Sequence, residues 1–189
     1  MMISLAALFF AACEKDSNEV NPSTGQNDYS SNTNVAKVRV SRPFQIQFST
    51  AVDPNPNIPP TPCSGDLGLA NAGLFVSGTA TYLGLINAAQ SRLQDVSCNL
   101  SLATHLLTTS IAGQMVSADG DTLFYTGNDE IDVLNLLTGS TDPGTITGTW
   151  TFTGGTGRFE GATGSFSISG PVNFATASFS GTGVGTITF

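Results

Sequence analysis

The chain has 189 residues, enough for one domain with a sizeable core. Only 11% of the residues are charged, and 14 Asp and Glu outweigh 6 Lys and Arg, so the surface cannot track a phosphate backbone and nucleic acid is excluded as a partner. Thr, Ser, Asn and Gly supply the polarity instead, which suits strands and turns and suits helices badly.

Residues Ile3 to Ala12 form a short apolar run ending at Cys13. Its length fits the h-region of a secretory signal and is too short to span a bilayer. Phe10-Ala11-Ala12-Cys13 resembles the bacterial lipobox, with Phe10 where Leu is usual. That resemblance implies cleavage after residue 12 and a diacylglyceryl group on the Cys13 sulfur, hence a membrane anchor. Buried acyl methylenes contribute roughly 0.8 kcal/mol each, which makes such an anchor stable when more than one chain is attached. No Lys or Arg precedes the apolar run, which leaves open a start upstream of Met1. Glu14-Lys15-Asp16 resembles the surface-export signal of Bacteroidetes lipoproteins, and equally reads as solvated tether. The expected location is the cell envelope, lipid-anchored at the outer membrane, facing either the periplasm or the exterior.

Residues 14–36 hold almost nothing that can be buried, so 13–36 is expected to be a lipidated Cys and a disordered tether. As a flexible coil it reaches on the order of 25 Å. The expected layout is thus signal peptide over 1–12, tether over 13–36 and a β domain over 37–189.

From Val38 the even positions read Val38, Val40, Arg42, Phe44, Ile46, Phe48, against a polar odd series. That period of two predicts a half-buried strand, with Pro43 placing it at an edge or bulge. Asp53 to Gly73, rich in Pro, reads as a long stiff loop containing Cys63. With Cys13 lipidated, Cys63 and Cys98 are left to pair in an oxidising compartment, or to remain two thiols. Closing that loop would contribute roughly 3–4 kcal/mol in the chain-entropy account.

Further strands are expected at 74–84, 98–109, 121–127, 131–137, 145–153, 165–169, 172–179 and 182–189, with a turn or two of helix within 86–95. In 145–153 the pattern is cleanest: Ile146, Gly148, Trp150 and Phe152 alternate with five threonines. Eight or nine short strands make the fold class all-β, either a closed antiparallel barrel or a β-sandwich.

Residues 154–164 place Gly154, Gly155, Gly157, Gly161 and Gly164 around Arg158 and Glu160. The spacing fits neither a Walker loop nor a dinucleotide fingerprint, so the glycines serve a tight strand connection. Arg158 and Glu160 are expected to pair and fix that turn, or else to line a cavity mouth. The segment Thr153 to Phe166 resembles the Gly-Gly-Thr-Gly-x-Phe-Glu-Gly stretch of the allene oxide cyclases, a related group of bacterial proteins and, more loosely, the dirigent proteins. Gly78 to Gly84 and Ala118 to Leu123 also fit the bacterial group. The resemblance implies an eight-stranded barrel with a cavity open at one end. It does not carry over the cyclase reaction, because the catalytic carboxylate and asparagines of that family have no matching positions here.

No catalytic constellation is expected. The single histidine, His105, reads as structural on a strand. Asp119, Asp121, Asn128, Asp129, Glu130 and Asp132 read as solvated turns rather than a Ca²⁺ loop, and no metal or other cofactor is expected. An integral outer-membrane barrel is disfavoured by one Trp and three Tyr, too few for interfacial girdles. The leading functional expectation is a non-catalytic barrel displayed on the envelope, binding a small apolar ligand or a surface partner. Val40, Phe44, Ile46, Phe48, Trp150, Phe152, Phe166 and Ile168 are the candidate lining. The alternative is an isomerase or cyclase working on an apolar substrate in the cavity. Oligomeric state is left open.

Overall fold

A computed structural model describes residues 39–53 and 73–189, all within the unit Lys37–Phe189. The signal segment, Cys13, the tether and Cys63 with its proline-rich loop lie outside the described residues.

Among the described residues nine strands follow in chain order: β1 Ser41–Val52, β2 Leu74–Ala80, β3 Gly84–Ile86, β4 Arg92–Ser101, β5 Leu106–Val116, β6 Thr122–Asp132, β7 Gly144–Gly155, β8 Thr163–Asn173 and β9 Ser178–Thr188. The only α-helix among the described residues, α1, is the single turn Leu134–Leu137. All neighbours are antiparallel. The sheet runs β1-β9-β8-β7-β6-β5-β4-β2, and β2 pairs back onto β1 from Ile46↔Ala80 to Val52↔Leu74. This closes a ring of eight strands, which settles the fold against two separate sheets. β3 is an extra short strand on β2, bridged to the end of β5 by Ile86↔Ser117. Closure removes the exposed edges that an open sheet would offer.

The period-two reading holds along β1, where Phe44, Ile46, Phe48 and Thr50 are buried and the residues between them are exposed. Val40 is the exception: it lies before the strand, 49% exposed, and so outside the core. The strand limits differ more. The expected strand 98–109 is a hairpin whose turn contains His105 at φ 54, so the histidine sits in a tight turn and not on a strand. The expected break at 128–130 is absent, and β6 runs through it. Residues 172–179 are the β8–β9 hairpin. Residues 86–95 hold no helix; β4 already begins at Arg92.

The interior is aromatic. Phe44, Phe152 and Phe166 meet with centroids 5.0–5.1 Å apart. Trp150 lies 5.6 Å from Phe166, 5.4 Å from Phe48, and stacks on Tyr125 at 4.9 Å with the planes 4° apart. Pairs of this kind contribute about 0.5–1.5 kcal/mol each beyond area burial. Near the first turn of the ring, Arg92 joins β4 to the end of β1 through Asp53 at 3.0 Å, and lies 3.7 Å over the Phe75 ring.

Candidate functional site

The glycine motif forms the β7–β8 connection. Gly154, Gly157, Gly161 and Gly164 all have positive φ, a region open to glycine and strained for other residues. At Gly157 a Cβ would also collide with the Asp121 carboxylate. That carboxylate accepts from Arg158 Nε at 3.0 Å, and Asp119 meets Arg158 Nη2 at 3.4 Å. The expected Arg158–Glu160 pair is therefore replaced. Residues 157–159 form a short 3-10 turn rather than an extended segment, so the two side chains do not share a face. Arg158 instead clips the β5–β6 turn to the glycine connection, and Asp119 and Asp121 act as its partners in that clip. Phe159, from the same turn, is fully buried and meets Phe189 at 5.4 Å.

Of the candidate lining residues, Phe44, Ile46, Phe48, Trp150, Phe152, Phe166 and Ile168 are brought together inside the ring, each 4% exposed or less, and Val40 is left outside. Their aromatic rings meet one another and those of Tyr125 and Phe179. The aromatic level of the barrel is filled by its own side chains.

Two carboxylates share that interior. Cross-strand register places Asp129 opposite Thr109 and Gly148, and Asp95 opposite the buried Ile111. Directly opposed residues share a face, so both carboxylates are on the inward side of the wall. Asp129, 2% exposed, accepts a hydrogen bond from Trp150 Nε1 at 2.7 Å. Burial pushes its carboxyl from 3.8 up to about 7; the Trp150 hydrogen bond opposes this and the nearby Asp95 charge adds to it. Burial alone pushes Asp95 up to about 6. Tyr125, also fully buried, has its phenol pushed upward by burial and by the Asp129 charge, and donates to the Arg92 carbonyl at 3.2 Å. Gly148 makes the arrangement possible, since a Cβ there would occupy the place of Asp129 Oδ1. Asp129 thus departs from the solvated turn expected of it, and Asn128, Glu130 and Asp132 are likewise strand residues. Among the described residues no group of three His, Cys, Asp or Glu could hold a metal ion.

The outside of the same wall carries a shallow groove of about 810 Å³ across β4 to β9. It adjoins a second stretch of about 580 Å³ at Thr182–Val184 that continues onto β1 and β2. One rim follows the register Thr108↔Glu130↔Thr147↔Ser169↔Thr182↔Gln47. The other follows Ser110↔Asn128↔Thr149↔Ser167↔Val184↔Gln45. Between the rims lies the backbone of the inward row that contains Asp129, Gly148 and Gly183. Neighbouring side chains along a rim are about 4.8 Å apart and the rims about 6.7 Å apart, from strand geometry. Glu130 is the one charged member of the two rims.

Cys98 is half-buried on β4, opposite Thr109 and beside this groove, and is not a free thiol. Comparison with family models, with curated proteins and with solved structures gives no significant match to this chain.

Proposed function

We propose that this is an envelope-anchored lipoprotein whose barrel is a non-catalytic binding domain working through its outer surface. The observation that carries the reading is the contrast between the two sides of the wall. The inner side is filled by its own aromatic rings, while the outer side presents an open groove between two register-aligned rows of hydroxyl and amide side chains, interrupted only by Glu130 and the exposed Val184. Such rims offer donors and acceptors at regular spacing and almost no charge. The partner they suit is uncharged and hydroxyl-rich, such as a neutral glycan, and not a small apolar molecule. The likeness of residues 153–166 to the allene oxide cyclase motif remains part of this proposal; the eight-stranded ring agrees with the fold it implies.

The test uses the full chain and neutral oligosaccharides, a glucan and a chitin oligomer, with titration followed by calorimetry. Binding to at least one is expected. Thr149→Lys and Ser167→Glu, both at exposed rim positions, should weaken it at least about tenfold, roughly 1.4 kcal/mol. Binding that survives both changes, or binding only of an apolar fluorophore, overturns the reading.

Anchoring is tested separately. Wild type should partition with membranes and need detergent for release, and Cys13→Ala should become soluble after export. An unchanged partition removes the lipid from the account. The Cys63–Cys98 disulfide belongs to the same proposal, supported by the state of Cys98 and by the oxidising compartment. Mass spectrometry of the unreduced mature protein should find it two hydrogens lighter than the reduced form, with the two peptides linked.

One observation favours a second reading, an isomerase or cyclase acting inside the barrel: two inward carboxyls that burial pushes up to about 6 and about 7. It requires that a substrate reach Asp129. Acrylamide, a small neutral quencher, should then quench Trp150 in the folded protein nearly as well as in denaturant. Complete protection of Trp150 excludes this reading.

A further inference from the structure

The Asp129 carboxyl is held from several sides. Trp150 Nε1 donates to it from β7 at 2.7 Å, and Gly148 on the same strand leaves the space it occupies. The Tyr125 ring, two register positions along β6, stacks on the indole, and its hydroxyl ties the stack to the Arg92 carbonyl on β4. From β5 the facing residues are Thr109 and Ile111, and from β1 Phe48 closes on the indole at 5.4 Å. From β4 comes Asp95, with Cys98 further along the strand. Asp95, Asp129 and Tyr125 are thus the ionisable groups that face this point, with Cys98 beside them, and none of the salt bridges among the described residues brings a cation to either carboxylate.

Two like charges in a largely apolar wall repel one another and lose solvation together, so the closed wall is favoured while at least one carboxyl holds a proton. The strain of full ionisation has a natural outlet. β4 carries a register shift between Asp95 and Ser97, with Val96 turned outward at 59% exposure, so its ladder to β5 is already interrupted beside Asp95.

We propose that Asp95 and Asp129 form a proton-operated latch in the wall of β4 to β7, closed while at least one of the two carboxyls holds a proton and loosened when both are ionised. Because Asn128 and Glu130 flank Asp129 on β6, and Thr108 and Ser110 flank Thr109 on β5, the latch acts directly on both rims of the outer groove. The proposal does not depend on what the groove binds.

Trp150 is the one tryptophan of the chain, and its N–H sits on the titrating group, so its emission reports the latch. The experiment follows Trp emission of the full chain, together with amide exchange resolved by strand, from about pH 5 to about pH 9, in wild type, Asp129→Asn and Asp95→Asn. Wild type should show an emission change with a midpoint near 7. Exchange on β4, β5 and β6 should rise above its intrinsic pH dependence while β8 and β9 stay protected. Asp129→Asn keeps an acceptor for the indole and should abolish the emission change. Asp95→Asn removes the like charge and should move the midpoint down by about half a pH unit or more. The proposal is overturned by an unchanged transition in Asp129→Asn or by an unmoved midpoint in Asp95→Asn. Exchange that rises equally over all strands, which marks global unfolding, also overturns it. If Asp129→Asn fails to fold, the midpoint in Asp95→Asn decides alone.

Discussion

Raising the pH from about 5 to about 8 should destabilise the fold by several kcal/mol, and Asp129→Asn should remove most of that loss. The direction follows from which state binds the proton more tightly. Burial holds the Asp129 carboxyl near 7 in the folded chain, against an ordinary 3.8. Between those values the folded state therefore carries more protons than the unfolded state, and stability falls with rising pH. The favourable contribution is fully present below about 4 and is lost as the pH climbs through about 7. A displacement of that size corresponds to on the order of 4 kcal/mol for Asp129, and that of Asp95 to on the order of 3 kcal/mol. The two groups titrate as a pair, so these figures do not add. Ordinary acid denaturation runs the other way, because ion-paired carboxylates lose their partners when protonated. Urea midpoints measured across this range decide the matter. A wild-type midpoint that rises from pH 5 to pH 8 would show that Asp129 finds compensation that its surroundings do not provide.

The same residue shows where sequence reasoning reaches and where it stops. Alternation in β1 and β7 was legible because Phe44, Ile46, Phe48, Trp150 and Phe152 are large and separated by Ser, Thr and Gln; a period of two in such residues has one physical outcome. In β6 the same alternation, Leu123, Tyr125, Gly127, Asp129, Ile131, was present in the sequence. Reading Asn128-Asp129-Glu130 as a polar break hid it, because a carboxylate on the inward parity contradicts the usual exclusion of unpaired charge from a core. What resolves the contradiction is Trp150 Nε1, contributed by another strand and fixed by the β6–β7 register. The Arg158 pairing failed for a related reason: the β5–β6 turn that supplies Asp119 and Asp121 is brought to Arg158 by the fold and not by spacing in the chain. The groove was invisible for a third reason. Each strand contributes only one residue to each rim, mostly an ordinary Ser, Thr, Asn or Gln, and the rows appear only when five registers are known together. The all-β class was legible from alternation and turn signals, whereas closure of the ring was not, because strand count alone leaves a sandwich open and the β1–β2 pairing that closes it is a long-range register; the extra short strand β3 was hidden because three residues carry no periodicity.

Gly148→Ala should destabilise the protein by about 3 kcal/mol, a large effect for one methyl group. The added Cβ would point inward into the Asp129 carboxylate and would also crowd the Asn128 carbonyl at 2.7 Å. Asp129 has no easy retreat. Its Oδ1 accepts the indole hydrogen bond, and moving it leaves the Trp150 N–H buried without an acceptor, which costs about 1–3 kcal/mol. Moving Trp150 with it disturbs the stack on Tyr125 and the contacts with Phe48 and Phe166. A double-mutant cycle separates the carboxylate from the backbone. In an Asp129→Ser background the inward space is larger and the indole is already deprived of its carboxylate. Gly148→Ala should there cost at least about 1 kcal/mol less than in wild type, with the remainder due to the Asn128 carbonyl. Both costs are read from chemical denaturation at about pH 5, where the Asp129 carboxyl is protonated and its charge does not confuse the comparison. Equal costs in the two backgrounds would mean that Gly148 is required by strand pairing alone, and that the position of Asp129 owes nothing to the missing side chain opposite it.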